Sequence, residues 1–229
     1  MNTRYSFAAM ASAAMLLAAC GPGEPTPETD TAAEPVAESF ADIDAVRLLA
    51  AADTPEEWLT YGGTYDEQRH SRLTGLDTRN VDELGVAWTY DLATSRGVES
   101  TPIVVDGVMY VTSAWSIVYA LDAVTGEELW VYDPDVDRAV GVNACCDVVN
   151  RGVAVWDGKI YVGIIDGRLE AIDAKTGERV WSTVTVDQSK PFTITGAPRV
   201  VDGKVFIGNG GAELGVRGYL SAYDADSGD

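Results

Sequence analysis

Cysteine, histidine and basic side chains are the scarce residues of this 229-residue chain. It has three cysteines and a single histidine, His70. Cys20 closes an N-terminal apolar segment, so Cys145 and Cys146 are all that remain for the folded part. Adjacent cysteines build neither a Cys-x-x-Cys zinc knuckle nor a Cys-x-x-Cys-His haem attachment. One imidazole leaves almost no route to a histidine-rich zinc or copper site. Only 16 Lys and Arg oppose 36 Asp and Glu, for a formal charge of -20. Such a chain repels phosphate backbones and has no basic stripe to override that, which argues against nucleic acid as a partner. Long apolar runs are missing too. Phe7 to Ala19 is too short for a comfortable transmembrane helix.

What stands at the N-terminus instead reads as a targeting segment. Arg4 provides a thin positive start, and the apolar stretch ends in Leu17-Ala18-Ala19-Cys20. That ending resembles the bacterial lipoprotein signal, in which the cysteine is lipidated and becomes the new N-terminus. The other reading is an ordinary Ala-x-Ala-like cleavage site. Both place the mature protein in the periplasm, anchored through Cys20 or free, where disulfides form. Residues 21–40 are rich in Pro, Thr and Glu and read as a disordered linker.

The folded part is expected over residues 41–229. A short helix is expected around Ala41 to Ala52. Thr54-Pro55-Glu56-Glu57 has the form of a capping box with Pro at the first helical position, which predicts one helical turn ahead of Trp58. Tyr61 to Leu84 is polar and turn-rich, without assignable periodicity. Gly85 to Tyr90 reads as a strand.

Beyond it lies an internal repeat. Ala120-Leu121-Asp122-Ala123-Val124-Thr125-Gly126-Glu127-Glu128-Leu129-Trp130 returns as Ala171-Ile172-Asp173-Ala174-Lys175-Thr176-Gly177-Glu178-Arg179-Val180-Trp181. It begins again at Ala222-Tyr223-Asp224-Ala225, so the step from 120 to 171 to 222 is 51 residues. Between copies stand Asp106-Gly107, Asp157-Gly158 and Asp202-Gly203, each followed by an alternating apolar run. Asp-Gly in that setting signals a type I′ hairpin. Each unit therefore yields about four short antiparallel strands, the blade of a β-propeller. The closing tryptophans, Trp130 and Trp181, are read as structural, filling the wedge between blades against Ala120 and Ala171. Three blades at most are present, and a propeller is held by closure, so the chain reads as a fragment.

Function should be written where the repeat is broken. Cys145 and Cys146, if oxidised to each other, close a strained ring across one peptide bond. Such a ring is a poor staple and a hard, flat platform for a planar ligand. The alternatives are two free thiols or pairing elsewhere. Arg151 follows in Asn150-Arg151-Gly152, either a plain surface residue or a fork for carboxylates. The run Gly208-Asn209-Gly210-Gly211-Ala212-Glu213-Leu214-Gly215 is not a phosphate-binding loop, because it lacks Gly-Lys-Ser/Thr. It is either a bare hairpin with an exposed Glu213 or a close backbone approach to a ligand with a carboxylate beside it.

Together, Trp88, Arg96-Gly97-Val98-Glu99-Ser100-Thr101-Pro102, Cys145-Cys146-Asp147-Val148-Val149-Asn150-Arg151-Gly152, Thr193-Ile194-Thr195-Gly196-Ala197-Pro198 and Gly210 to Tyr219 resemble the pyrroloquinoline quinone (PQQ) alcohol dehydrogenases. The likeness is to the ethanol-type quinoproteins and quinohaemoproteins and spans about Asp42 to Asp229. It implies an all-β fold, part of an eight-bladed propeller with W-motif repeats of four-stranded antiparallel blades, carrying PQQ and Ca²⁺ on its axis. It also implies that a Cys145–Cys146 ring stacks on one PQQ face. Glu99, Arg151 and Thr195 would bond the cofactor's carboxylates and ring oxygens, with Gly211 and Ala212 close by, and Glu213 would ligate calcium or a lanthanide. Some members carry Ser where this chain has Gly210. The catalytic Asp base, further metal ligands and any haem c site of the family are expected downstream, so no catalytic residue is assigned here. The implied activity is oxidation of a primary alcohol, with electrons passed to cytochrome c or haem. The rival reading is a non-catalytic propeller lipoprotein scaffolding outer-membrane protein assembly, which has no use for Cys145, Cys146, Arg151 or Glu213.

Overall fold

Three Asp-Gly turns set the strand geometry. The computed structural model describes residues 40–229; the expected signal segment, the Cys20 anchor and nearly all of the expected linker lie outside the described residues. The first sheet runs β1 (Ile103–Val105), β2 (Val108–Thr112), β3 (Val118–Asp122), β4 (Glu128–Tyr132) in antiparallel order. The second repeats it as β5 (Ala154–Trp156), β6 (Lys159–Gly163), β7 (Arg168–Asp173), β8 (Arg179–Val184). The third has β9 (Arg199–Val201), β10 (Lys204–Gly208) and β11 (Leu220–Asp224). In every sheet the first two strands are joined by Asp-Gly with both residues at positive φ, for example 51° and 78° at Asp106 and Gly107. That is the type I′ turn expected, whose twist matches the strands it joins.

The repeated Asp-Ala-x-Thr/Ser-Gly is a carboxylate-built turn. Asp122 Oδ1 accepts from the Val124 and Thr125 amides and the Thr125 hydroxyl at 2.9, 2.7 and 2.9 Å. Asp173 and Asp224 repeat the set one and two units later.

The tryptophans are structural, and they dock one sheet on the next. Trp130 Nε1 donates to the Ala174 carbonyl and Trp181 Nε1 to the Ala225 carbonyl, both at 3.1 Å. Each ring covers a glycine of that neighbouring turn, so a Cβ at Gly177 would stand 2.8 Å from the Trp130 ring. The expected wedge partner needs correcting: Ala120 faces Trp130 across β3–β4 of the same sheet, and Ala171 faces Trp181 likewise. The inter-sheet partners are the alanine and glycine of the next turn. Tyr110 and Tyr161 donate to the same two carbonyls at 3.1 and 3.0 Å. Their buried hydroxyls are thus satisfied, and burial pushes both phenols well above their ordinary value of 10.0.

Buried side chains fill the spaces between sheets. One cluster includes Ile103, Val105, Tyr110, Val155, Ile160 and Ile172, with Ile43, Leu48 and Leu59 from the N-terminal segment. A second joins Tyr161, Leu169 and Ala171 to Val200, Val205 and Ile207. Both faces of the second sheet are therefore covered, which explains why β6 and β7 are buried on both sides.

Three local expectations differ. The helix around Ala41 to Ala52 is only α1 (Ala45–Leu49), capped by Asp44, which accepts from the Arg47 amide at 2.7 Å. Residues before it are drawn onto the hairpin turns: Ala41 N donates to Asp106 Oδ2 at 2.8 Å, and Gly158 N donates to the Ala41 carbonyl at 3.0 Å. The capping box is not formed. Thr54 to Glu57 makes one turn, and the Glu57 carboxylate accepts from Arg47 and the Asp106 amide at 2.6 and 3.1 Å instead. Gly85–Tyr90 forms no strand because no described strand lies beside it to complete a ladder. Its Trp88 still docks as its siblings do, donating to the Ala123 carbonyl at 3.3 Å and covering Gly126. Among the described residues no helix is long and apolar enough to cross a membrane.

Candidate cofactor site

The segments that lead into β1, β5 and β9, the first strand of each sheet, meet side by side. Glu99 precedes β1, Arg151 precedes β5 and Thr195 precedes β9. Backbone bonds lock these approaches side by side: Thr101 N donates to the Arg151 carbonyl at 3.1 Å, and Arg151 N to the Thr195 carbonyl at 3.0 Å. Gly152, at φ 125°, packs so closely on Thr101 that a Cβ would meet its carbonyl at 2.9 Å. The side chains then meet. Arg151 Nη2 lies 2.7 Å from Glu99 Oε2, and Nη1 donates to Thr195 Oγ1 at 2.6 Å. Both charged groups remain partly exposed, at 34% and 46%, so the guanidinium is held but still open to a ligand.

Cys145 and Cys146 stand exposed, their sulfurs 2.7 Å apart as free thiols. The Cys145 thiol is pushed up to about 11, first by its hydrogen bond with Cys146 and then by one with Glu213. Glu213 therefore lies beside the cysteine pair, brought there by a 3-10 turn at Ala212–Leu214. Gly211 opens that turn at φ 107°, and a Cβ there would meet the Pro191 carbonyl at 2.2 Å. Only glycine fits.

A cavity of about 710 Å³ opens at Arg151 and Thr195, lined also by Gly196, Asn209, Gly210 and Tyr219 among others. Of the residues expected at a cofactor, Arg151 and Thr195 line it and Glu99 pairs with Arg151. Cys145, Cys146 and Glu213 form a second cluster outside its lining. Gly211 is buried and Ala212 exposed, and it is Gly210 rather than either that borders the cavity. Among the described residues no group of three or more His, Cys, Asp or Glu is placed to hold a metal ion. Glu213 offers one hard oxygen ligand beside the thiols.

The supports of these groups are buried polar side chains whose role has no local sequence signal. Asn150, 1% exposed, donates to Ser116 Oγ and the Gly163 carbonyl at 3.2 and 2.8 Å and accepts from Gly152 N at 2.9 Å. It thereby shapes the Arg151 backbone. Trp115 and Ser116 were legible as a break in the repeat, since 51 residues on stand Asp166 and Gly167.

Residues 58–229 match the family model for the PQQ glucose/ethanol/alcohol dehydrogenase β-propeller domain. The quinohemoprotein alcohol dehydrogenase ADH-IIG of Pseudomonas putida is 61% identical over 189 residues, which are 82% of this chain and 26% of that protein. A 1-butanol dehydrogenase (cytochrome c) of Thauera butanivorans is 64% identical over 171 residues, 73% of this chain and 24% of its own length. The crystal structure of the quinohemoprotein alcohol dehydrogenase from Comamonas testosteroni superposes with a TM-score of 0.80 at 54% identity, covering 83% of this chain and 29% of that one. The chain thus spans under a third of the length of these relatives.

Proposed function

The chain belongs to the PQQ glucose/ethanol/alcohol dehydrogenase β-propeller family, and from that premise we propose that it forms part of an exported quinoprotein that oxidises primary alcohols. PQQ and a calcium ion are the proposed cofactors, and a cytochrome c or an attached haem the proposed electron acceptor. The leader supports a periplasmic location, with Cys20 as a lipid anchor.

The observation that carries this reading is the meeting of Glu99 with Arg151 and Thr195 at the edge of a cavity, with the exposed Cys145–Cys146 pair as a separate cluster. The donor set fits the cofactor. An anionic, planar molecule needs a guanidinium fork and hydroxyl donors at its edge, and a flat apolar face to rest on. When bound, PQQ supplies the hydride acceptor, and calcium supplies a Lewis acid beside it.

The chain's own residues prepare that site. Arg151 binds a cofactor carboxylate, and Glu99 holds the guanidinium in place from the other side. Thr195 Oγ1, already accepting from Arg151, orients its proton toward a ring or carboxylate oxygen. Joined as a vicinal disulfide, Cys145 and Cys146 form a rigid platform that keeps water from one cofactor face. Glu213, beside Cys145, gives the cation one carboxylate oxygen. The proton acceptor for the alcohol is proposed to come from outside these residues.

The test is reconstitution of the full-length protein with PQQ and Ca²⁺. Dye-linked oxidation of primary alcohols is expected, and its absence overturns the reading. Arg151→Ala is expected to weaken PQQ binding by about tenfold or more, the scale of one charge-assisted contact. Native mass spectrometry should find two hydrogens fewer at Cys145–Cys146.

A further inference from the structure

The loop joining β2 to β3 departs from its sibling in the second sheet. Between β6 and β7 the chain turns on Asp166–Gly167, with Gly167 at φ 92°. The equivalent pair in the first sheet is Trp115–Ser116, and both stand at positive φ, 66° and 62°. Non-glycine residues in that region are strained, and the strain persists only where surroundings hold it.

Most of those surroundings belong to residues 147–150. Trp115 N donates to the Val148 carbonyl at 2.8 Å. Ser116 Oγ, fully buried, accepts from Asn150 Nδ2 and Ile165 N at 3.2 Å each. Two guanidinium groups stack on the indole of Trp115, Arg138 at 4.4 Å and Arg96 at 5.6 Å from the ring centroid. Arg96 Nη1 then donates to Asp147 Oδ1 at 2.6 Å. Asp147 is itself at φ 68° and also accepts from Val148 N and Gly97 N at 2.8 and 3.4 Å.

The pair joins two cofactor segments. Asp147 follows Cys146 directly, and Arg96-Gly97 lies just ahead of Glu99. Its members are 52% and 32% exposed, a setting in which an ion pair adds little to stability. The strain at Trp115 and Ser116 is held by the buried bonds of Ser116, whereas that at Asp147, a member of the exposed pair, is not explained by stability. It is explained by placement.

Resting on the PQQ reading above, we infer that Arg96 and Asp147 are a positioning pair that holds the Cys145–Cys146 platform at a set distance from the Glu99–Arg151 edge of the cavity. Neither touches the cofactor; they act through the backbone of the residues that do. Trp115 keeps Arg96 in line by stacking.

The test is PQQ titration of the full-length apoprotein, followed by quenching of its intrinsic fluorescence, for wild type, Arg96→Gln, Asp147→Asn, the double variant and Arg96→Lys. Each of the first two is expected to bind PQQ about fivefold more weakly, the upper scale of an exposed ion pair. The double variant should be no weaker than the worse single one, because both remove the same contact. Arg96→Lys should recover most of the affinity, and the apoprotein melting temperature should stay within about 2 °C throughout, given the small stability of an exposed pair. Wild-type affinity in either single variant overturns the inference. So do losses that multiply in the double variant, or losses matched by a fall in melting temperature. If wild type itself binds no PQQ, the reading of the cofactor falls and the inference falls with it.

Discussion

Asn150 shows how one side chain carries a site without touching a ligand. Its amide satisfies the Gly163 carbonyl and Ser116 Oγ, and its oxygen takes the Gly152 amide, all inside the fold. Asn150→Ala leaves at least two buried backbone groups unpaired, at about 1–3 kcal/mol each. A loss of about 3 kcal/mol is expected in urea unfolding, and a loss below about 1 kcal/mol would show that water replaces the amide. The residue types at the site were legible in the sequence because Cys-Cys and Asn-Arg-Gly interrupt a strict repeat. Their partners were not. Nothing local pairs Arg151 with Thr195, 44 residues away, or brings Glu213 to Cys145.

At the scale of strands and turns, two glycines separate conformational strain from packing. Gly107 and Gly177 have similar φ, 78° and 74°. A Cβ at Gly107 meets nothing within 4 Å, whereas one at Gly177 meets the Trp130 ring at 2.8 Å. Gly107→Ala should cost about 1–2 kcal/mol for its left-handed backbone alone. Gly177→Ala adds overpacking and should cost about 2–4 kcal/mol, with Trp130 displaced from the Ala174 carbonyl. Comparative thermal melts and the Trp130 indole NH resonance check both. Equal costs would mean that the indole moves aside freely. Strand and turn types followed from sequence because alternation and Asp-Gly chemistry act over a few residues. Gly85–Tyr90 has a strand's pattern without forming one for the complementary reason: a strand is completed by its neighbour, which no local pattern reveals.

For the molecule as a whole, the repeated acidic turns make stability depend on pH. The Asp122 and Asp224 carboxyls lie below the ordinary 3.8, held there chiefly by backbone amide hydrogen bonds. Asp187 is held down to about 2, first by the Ser189 hydroxyl and then by Lys190. In each case the folded form binds its proton less readily than the unfolded one. Their stabilisation is therefore present above about pH 4 and is lost as the pH falls through the depressed values. Denaturant midpoints should be level from pH 7 to 5 and fall between about pH 4 and 2. A fall already complete at pH 5 would show that other groups govern acid unfolding. The Asp187 carboxyl carbon should titrate near 2 by NMR.

Sequence alone determined the fold class, the 51-residue period and the chemical types gathered at the breaks in the repeat. These depend on alternation, turn preference and composition, which act within one strand or one hairpin. Tertiary structure alone decided which sheet each tryptophan docks on, that Glu99, Arg151 and Thr195 meet ahead of the first strand of each sheet, and that Arg96 and Asp147 tie two of these segments together. Such pairings join residues tens of positions apart, and only the stacking of one sheet on the next brings them within reach.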